Sequence, residues 1–91
     1  MSMTDTGARN LCVAIVRRAV DDYEGALYKY NTEKNKIKKD KAKYSIQECE
    51  RFFRKDVDTY VDIDGNKIIQ KCRENVKTKL KKKGIEMLLP D

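Results

Sequence analysis

Arg51, Arg54 and Lys55 stand at i, i+3 and i+4, a spacing that sets three cations on one flank of a helix. Guanidinium groups make forked contacts to phosphate. The cluster therefore reads either as an anion-binding surface or as one side of ion pairs with Glu48, Glu50 or Asp58. Arg17 and Arg18 pose the same choice, because Asp21 and Asp22 follow one turn later. Lysine is concentrated elsewhere. Residues 31–43 hold six lysines against Glu33 and Asp40. Residues 71–83 hold seven basic residues, Lys79, Lys81, Lys82 and Lys83 among them, against Glu74 alone. These stretches carry +4 and +6 in a chain whose total is +6, so the rest is a mildly acidic body with a net charge of −4. Runs of this kind either solvate a surface or attract an anion directly. Tyr28 and Tyr44 are candidates to stack on a base, whereas the spacing of Tyr23, Tyr30 and Tyr60 assigns them to a core.

The residues that most catalysis needs do not assemble. In 91 residues there is no histidine, which removes the commonest general base and the commonest zinc ligand together. Cys12, Cys49 and Cys72 form no C-x-x-C pair and read as small buried hydrophobes of a reducing compartment. Ser45, one of only two serines, suits a helix cap better than a nucleophile. Residues 62–66 (DIDGN) look like the middle of a calcium loop. Placing Gly65 at the sixth position, however, sets Tyr60 and Lys71 where the first and twelfth carboxylates belong. The four glycines are too dispersed for a phosphate loop. Asp21, Asp22, Glu24, Asp56 and Asp58 read as solvated carboxylates rather than metal ligands. The expectation is a protein that binds without catalysing, with no cofactor and no metal.

Positioning falls to helices. Cys12, Val16, Ala19, Tyr23, Ala26 and Tyr30 recur at alternating steps of four and three, which predicts a helix over residues 8–30, about 35 Å long. Leu11, Ile15 and Leu27 broaden its stripe. Residues 1–7 read as a flexible N-terminus and residues 32–43 as a Lys-rich connection or an extension of the first helix, exposed either way. Ser45 and Glu48 have capping-box spacing, with Tyr44 placed to staple onto Cys49, so a second helix is expected to open there. It buries Cys49, Phe52, Phe53, Val57 and Tyr60, and Asp56 and Asp58 break or re-cap it near its end. Asp64 caps a third helix striped by Ile68, Ile69, Cys72, Val76 and Leu80, which Gly84 ends. The apolar tail, residues 84–91, should pack back or meet another subunit. The fold class is all-α: one small three-helix domain, residues 1–91, with a long first helix and a short extra turn, and an oligomer preferred. The apolar run from Leu11 to Val16 is too short for a signal peptide or a membrane span, which predicts a cytoplasmic protein with no membrane partner.

Three blocks, AVDDYEGAL (19–27), ECERFFRKD (48–56) and VDIDGNKII (61–69), together resemble small uncharacterised proteins of phages and prophages of Gram-positive bacteria. That group shows an A-x-x-DY helix, an E-FFRS-like helix and a DG-x-x-I/L helix start. The likeness spans roughly residues 10–75, and the basic C-terminal run lies outside it. The resemblance implies a setting, the cytoplasm of a bacterial host, rather than a mechanism. In that setting the leading expectation is a counter-defence or host-takeover binder. Its basic surface (Arg17, Arg18, Arg51, Arg54, Lys55, Lys79, Lys81, Lys82 and Lys83) would capture a nucleotide signal or an acidic or nucleic-acid-bearing host protein. A DNA- or RNA-binding phage regulator is the alternative, although no helix-turn-helix is evident and the acidic DVDTYVDID segment would repel a duplex. A structural or assembly role in the phage particle is the third reading.

Overall fold

The computed structural model describes the backbone of residues 3–90 and the side chains from Leu11 onward. The fold is an all-α domain of three helices, α1 (Met3–Thr32), α2 (Lys36–Arg51) and α3 (Gly65–Lys82), with no strand among the described residues. Neighbour pairs give the topology. Moving up α1, Tyr23 meets Glu50 and Tyr30 meets Lys39, so α2 runs antiparallel to it. Tyr23 also meets Arg73, and Tyr28 meets Lys83, so α3 runs parallel to α1. The molecule is elongated, 50 × 25 × 19 Å, because the 30-residue α1 is nearly twice as long as the 16-residue α2. No helix among the described residues is long and apolar enough to cross a membrane.

The predicted stripe of α1 supplies Val16, Tyr23, Ala26 and Leu27 to the core, with Cys12, Ala19 and Tyr30 half-buried. Leu11 does not broaden that stripe. It is 62% exposed, since α1 runs on past the elements that cover its middle. Residues 1 and 2 of the expected flexible N-terminus lie outside the described residues, while the backbone of 3–7 is already helical in α1.

The largest departure concerns α2. The connection after α1 is only residues 33–35, and the lysine-rich stretch from Lys36 onward is the first part of α2. Its cap is Asn35, whose side-chain oxygen accepts from the amides of Ile37 (2.9 Å) and Lys38 (3.3 Å). Ser45 therefore lies inside a helix, exposed, and the expected staple from Tyr44 to Cys49 is replaced by a Tyr44 side chain 65% in solvent. Lysine is a good helix former, so a cap and propensity suffice where few apolar residues mark the period. Only Ala42 and Ile46 of α2 are buried.

After Arg51 the helix widens into a π turn, Phe52–Asp56, in which the Val57 amide donates to the Phe52 carbonyl, and then tightens into a 3-10 turn, Val57–Thr59. This is the expected extra turn and the break near Asp56 and Asp58. The π turn carries the adjacent phenylalanines on different faces. Phe53 is buried with its ring tilted against Tyr23, centroids 5.7 Å apart, while Phe52 packs edge-on to Phe53 and against Tyr60. Tyr60 is not core: at 36% exposure it closes the rim over Phe52. Gly65, the first residue of α3, sits under the π turn. A Cβ there would overlap the Phe53 carbonyl oxygen, so only glycine lets the two backbones approach.

Helix α3 behaves as its stripe predicts. Asp64 caps it by accepting from the Asn66 amide at 2.9 Å, and Ile69, Cys72, Val76 and Leu80 are buried. Gly84, at φ +74°, ends it in a Schellman motif. Its amide donates to the Lys81 carbonyl (3.0 Å), and the Ile85 amide donates to the Leu80 carbonyl (3.0 Å). The tail then packs back through Ile85 and Met87, and the Leu88 backbone exchanges two hydrogen bonds with the Asn31 side chain. Each fully buried side chain, such as Leu27, Ile46, Phe53 or Leu80, contributes about 1.5–3 kcal/mol of apolar burial.

Candidate functional site

Parallel packing of α3 on α1, and the antiparallel start of α2, bring both lysine-rich stretches to one end of the molecule. Lys39 lies over the Tyr30 ring at 4.9 Å, and Lys83 lies over the Tyr28 ring at 5.3 Å, two residues apart on α1. Residues 29–43 bring seven lysines against Glu33 and Asp40, and residues 77–86 bring five against Glu86. None of these twelve lysines makes an ion pair among the described residues. At the opposite end, where α2 stops and α3 starts, residues 56–64 carry Asp56, Asp58, Asp62 and Asp64 and no cation. Arg51, Arg54, Lys55 and Lys67 flank that acidic segment and balance its four charges, so the excess positive charge lies at the lysine end.

At the lysine end a groove of about 540 Å³ runs between α1 and α3. Asp21, Glu24, Gly25 and Tyr28 line it from α1, and Lys79, Lys82 and Lys83 line it from the end of α3. Four of the residues singled out in the sequence, Tyr28, Lys79, Lys82 and Lys83, therefore meet. Lys81 points elsewhere and borders a separate groove with Lys77, Ile85 and Met87. Asp21 and Glu24 are groove residues that sequence reasoning assigned to ion pairing or to solvent. Their i, i+3 and i+7 spacing to Tyr28 was the available signal. The Glu24 carboxylate accepts from the Asn75 side chain at 2.9 Å, whereas Asp21 has no ion-pair partner among the described residues. Gly25 forms a bare floor, since a Cβ there would meet nothing within 4 Å.

The arginines do not join this groove. Arg17 and Arg18 are exposed on α1 beside Val13, Ala14 and Asp21, and neither is ion-paired to Asp21 or Asp22. Arg51 and Lys55 are exposed and make no ion pair among the described residues, and Arg54 lies 3.6 Å from Glu50 while half in solvent. Such a contact is worth little. Tyr44 is separated from Tyr28 and lines a second surface, with Ile37, Asp40 and Lys41, on the outer face of α2.

A polar cluster that the sequence did not reveal lies inside the bundle. The Tyr23 hydroxyl donates to Glu50 Oε2 at 2.6 Å, Arg73 Nη2 donates to the same oxygen at 2.8 Å, and Arg73 Nε donates to the Tyr23 oxygen at 3.1 Å. One residue comes from each helix. Burial opposes ionisation of Glu50, but the bonds from Tyr23 and Arg73 and the nearby guanidiniums outweigh it and hold its carboxyl below the usual range. Burial, reinforced by the bond to Glu50, pushes the Tyr23 phenol well above its ordinary value. Each of the three side chains is bonded to the other two, while Glu50 and Arg73 stay partly open to solvent. Burial also raises the thiols of Cys49, to about 11, and of Cys72, to about 12, so both are protonated at neutral pH. Among the described residues no three cysteine or carboxylate side chains are arranged to hold a metal ion.

Comparison with protein family models, with curated proteins and with solved structures finds no match to this chain.

Proposed function

We propose that the chain is a non-catalytic binding protein whose lysine-rich end captures an anionic partner. In the phage setting that the sequence blocks suggest, that capture serves counter-defence or host takeover. One observation carries the reading: twelve lysines converge on one end without a single carboxylate ion pair among the described residues. Cations needed only for solubility have no reason to be gathered at one pole against their mutual repulsion.

A DNA- or RNA-binding regulator is the second reading. The convergence of both lysine runs favours it, because a continuous cationic surface can track a phosphate backbone. Retention on a random duplex and on a poly-glutamate surface, each followed as salt is raised, separates the two. Loss of duplex retention with a steep log–log salt slope, with no retention on poly-glutamate, selects the nucleic-acid reading. Retention on both surfaces, weakened by Lys38→Glu with Lys41→Glu, supports the broader one, and retention on neither overturns both. Light scattering tests the expected oligomer in the same samples.

A further inference from the structure

We infer that the groove between α1 and α3 is a binding site for one nucleotide unit, with its base against Tyr28, its phosphate on Lys79, Lys82 and Lys83, and donor groups of the base facing Asp21. The inference rests on the reading of the lysine end as an anion-capturing surface and assigns a particular ligand to one part of it. At about 540 Å³ the groove is of the size that holds small molecules. It is also chemically graded along its length. Three ammonium groups stand at the end where α3 stops, and two carboxylates stand one to two turns away on α1. An anion alone would be repelled by that acidic end. A ligand with a phosphate at one end and amino groups at the other matches both.

Between the two ends lie the ring of Tyr28 and the bare floor at Gly25. The Tyr28 ring now faces Lys83 Nζ at 5.3 Å, which marks that face as open to a π partner. A base takes the place of the ammonium on the ring, and the flexible lysine moves to the phosphate. Stacking of this kind tolerates any base. Discrimination comes from Asp21, which accepts from the exocyclic amino groups of guanine, adenine or cytosine and finds no such group on uracil.

Calorimetry with the full chain tests the site, using guanosine monophosphate, uridine monophosphate, ribose 5-phosphate and a guanine-containing pentanucleotide as probes. Guanosine monophosphate is expected to bind at one site per chain, at least tenfold more tightly than ribose 5-phosphate and severalfold more tightly than uridine monophosphate. Lys82→Glu with Lys83→Glu weakens it at least tenfold. Gly25→Leu, which places its side chain in open space and by removing a helix-interior glycine holds or raises the thermal midpoint, blocks the floor and weakens binding to a similar extent. Asp21→Asn erases the preference over uridine monophosphate. A pentanucleotide no tighter than the mononucleotide assigns the groove to free nucleotides. One at least tenfold tighter, and equally sensitive to Gly25→Leu, assigns it to a nucleotide within a strand. Equal affinity for ribose 5-phosphate and guanosine monophosphate overturns the inference, as does indifference to both the lysine and the Gly25 variants. Polyanion retention without any mononucleotide binding overturns this site while leaving the broader reading in place, whereas loss of both overturns the two together.

Discussion

Two groups of charges in this molecule are treated in opposite ways. Glu50 and Arg73 lie partly buried in the seam between the helices, and each is bonded to the other and to the Tyr23 hydroxyl. The twelve lysines of the far end make no ion pair among the described residues, and only Lys39 and Lys83 rest on aromatic rings. In the seam a charge that has lost part of its water is held by a partner that replaces it. At the pole each ammonium keeps its water, so pairing is optional, and the molecule has left it out. Charges placed for architecture are thus distinguishable from charges left available to a partner by whether the chain itself satisfies them.

Breaking the seam should produce the largest effect. Glu50→Ala removes the acceptor shared by Tyr23 and Arg73 and leaves a partly buried guanidinium without its anion. A loss of about 3 kcal/mol in unfolding free energy is expected, read by urea denaturation. The same variant sharpens the pH dependence. The folded-state pKa of Glu50 lies below its unfolded value, so its contribution is complete above about pH 4.3 and disappears as pH falls through the folded value. Wild type should therefore lose stability on acidification more steeply than Glu50→Ala. A parallel acid limb in the two proteins would mean that the circuit contributes nothing.

The seam also depends on backbone that carries no charge. Gly65→Ala drives a Cβ into the Phe53 carbonyl and forces α3 away from the π turn that holds Phe53 over Tyr23. A cost of about 2 kcal/mol is expected, seen as a lower thermal midpoint. Because the lysine pole lies at the other end of α3, retention on a polyanion at temperatures below the transition should survive the change. Retention that fell with stability would couple the two regions that the comparison separates.

What could be read from the sequence follows from how local each cause is. The middle of α1 and all of α3 are spelled out by apolar residues at helical spacing, and Asp64 and Gly84 mark the ends of α3 within one residue. The start of α2 is hidden because its first two turns bury only Ala42, and their one large aliphatic residue, Ile37, is exposed. Periodicity has nothing to act on there, and the Ser45–Glu48 spacing offers a persuasive start inside a helix already under way. The groove was half legible: Tyr28 and the lysines were recognised as residue types, but that α3 runs parallel to α1, and so delivers them to one another, is a tertiary fact. The Tyr23–Glu50–Arg73 circuit was hidden more completely, since its members lie 23 to 50 positions apart and Arg73 was counted with the lysine run.

The smallest expected effect has the opposite sign from the others. The first turn of α2 contains no acidic residue and opens with Lys36, Lys38 and Lys39, although the positive end of the helix dipole favours carboxylates at that position. The arrangement works against helix formation, and no carboxylate bridge among the described residues offsets it. Lys36→Glu with Lys38→Glu should accordingly raise the unfolding free energy by about 0.3–1 kcal/mol, while polyanion retention weakens and its salt slope shallows by about two. A gain in stability bought by a loss in binding is what lysines kept for a partner predict. Stability that fell, or retention that held, would return these residues to the architecture, and the contrast between seam and pole would dissolve.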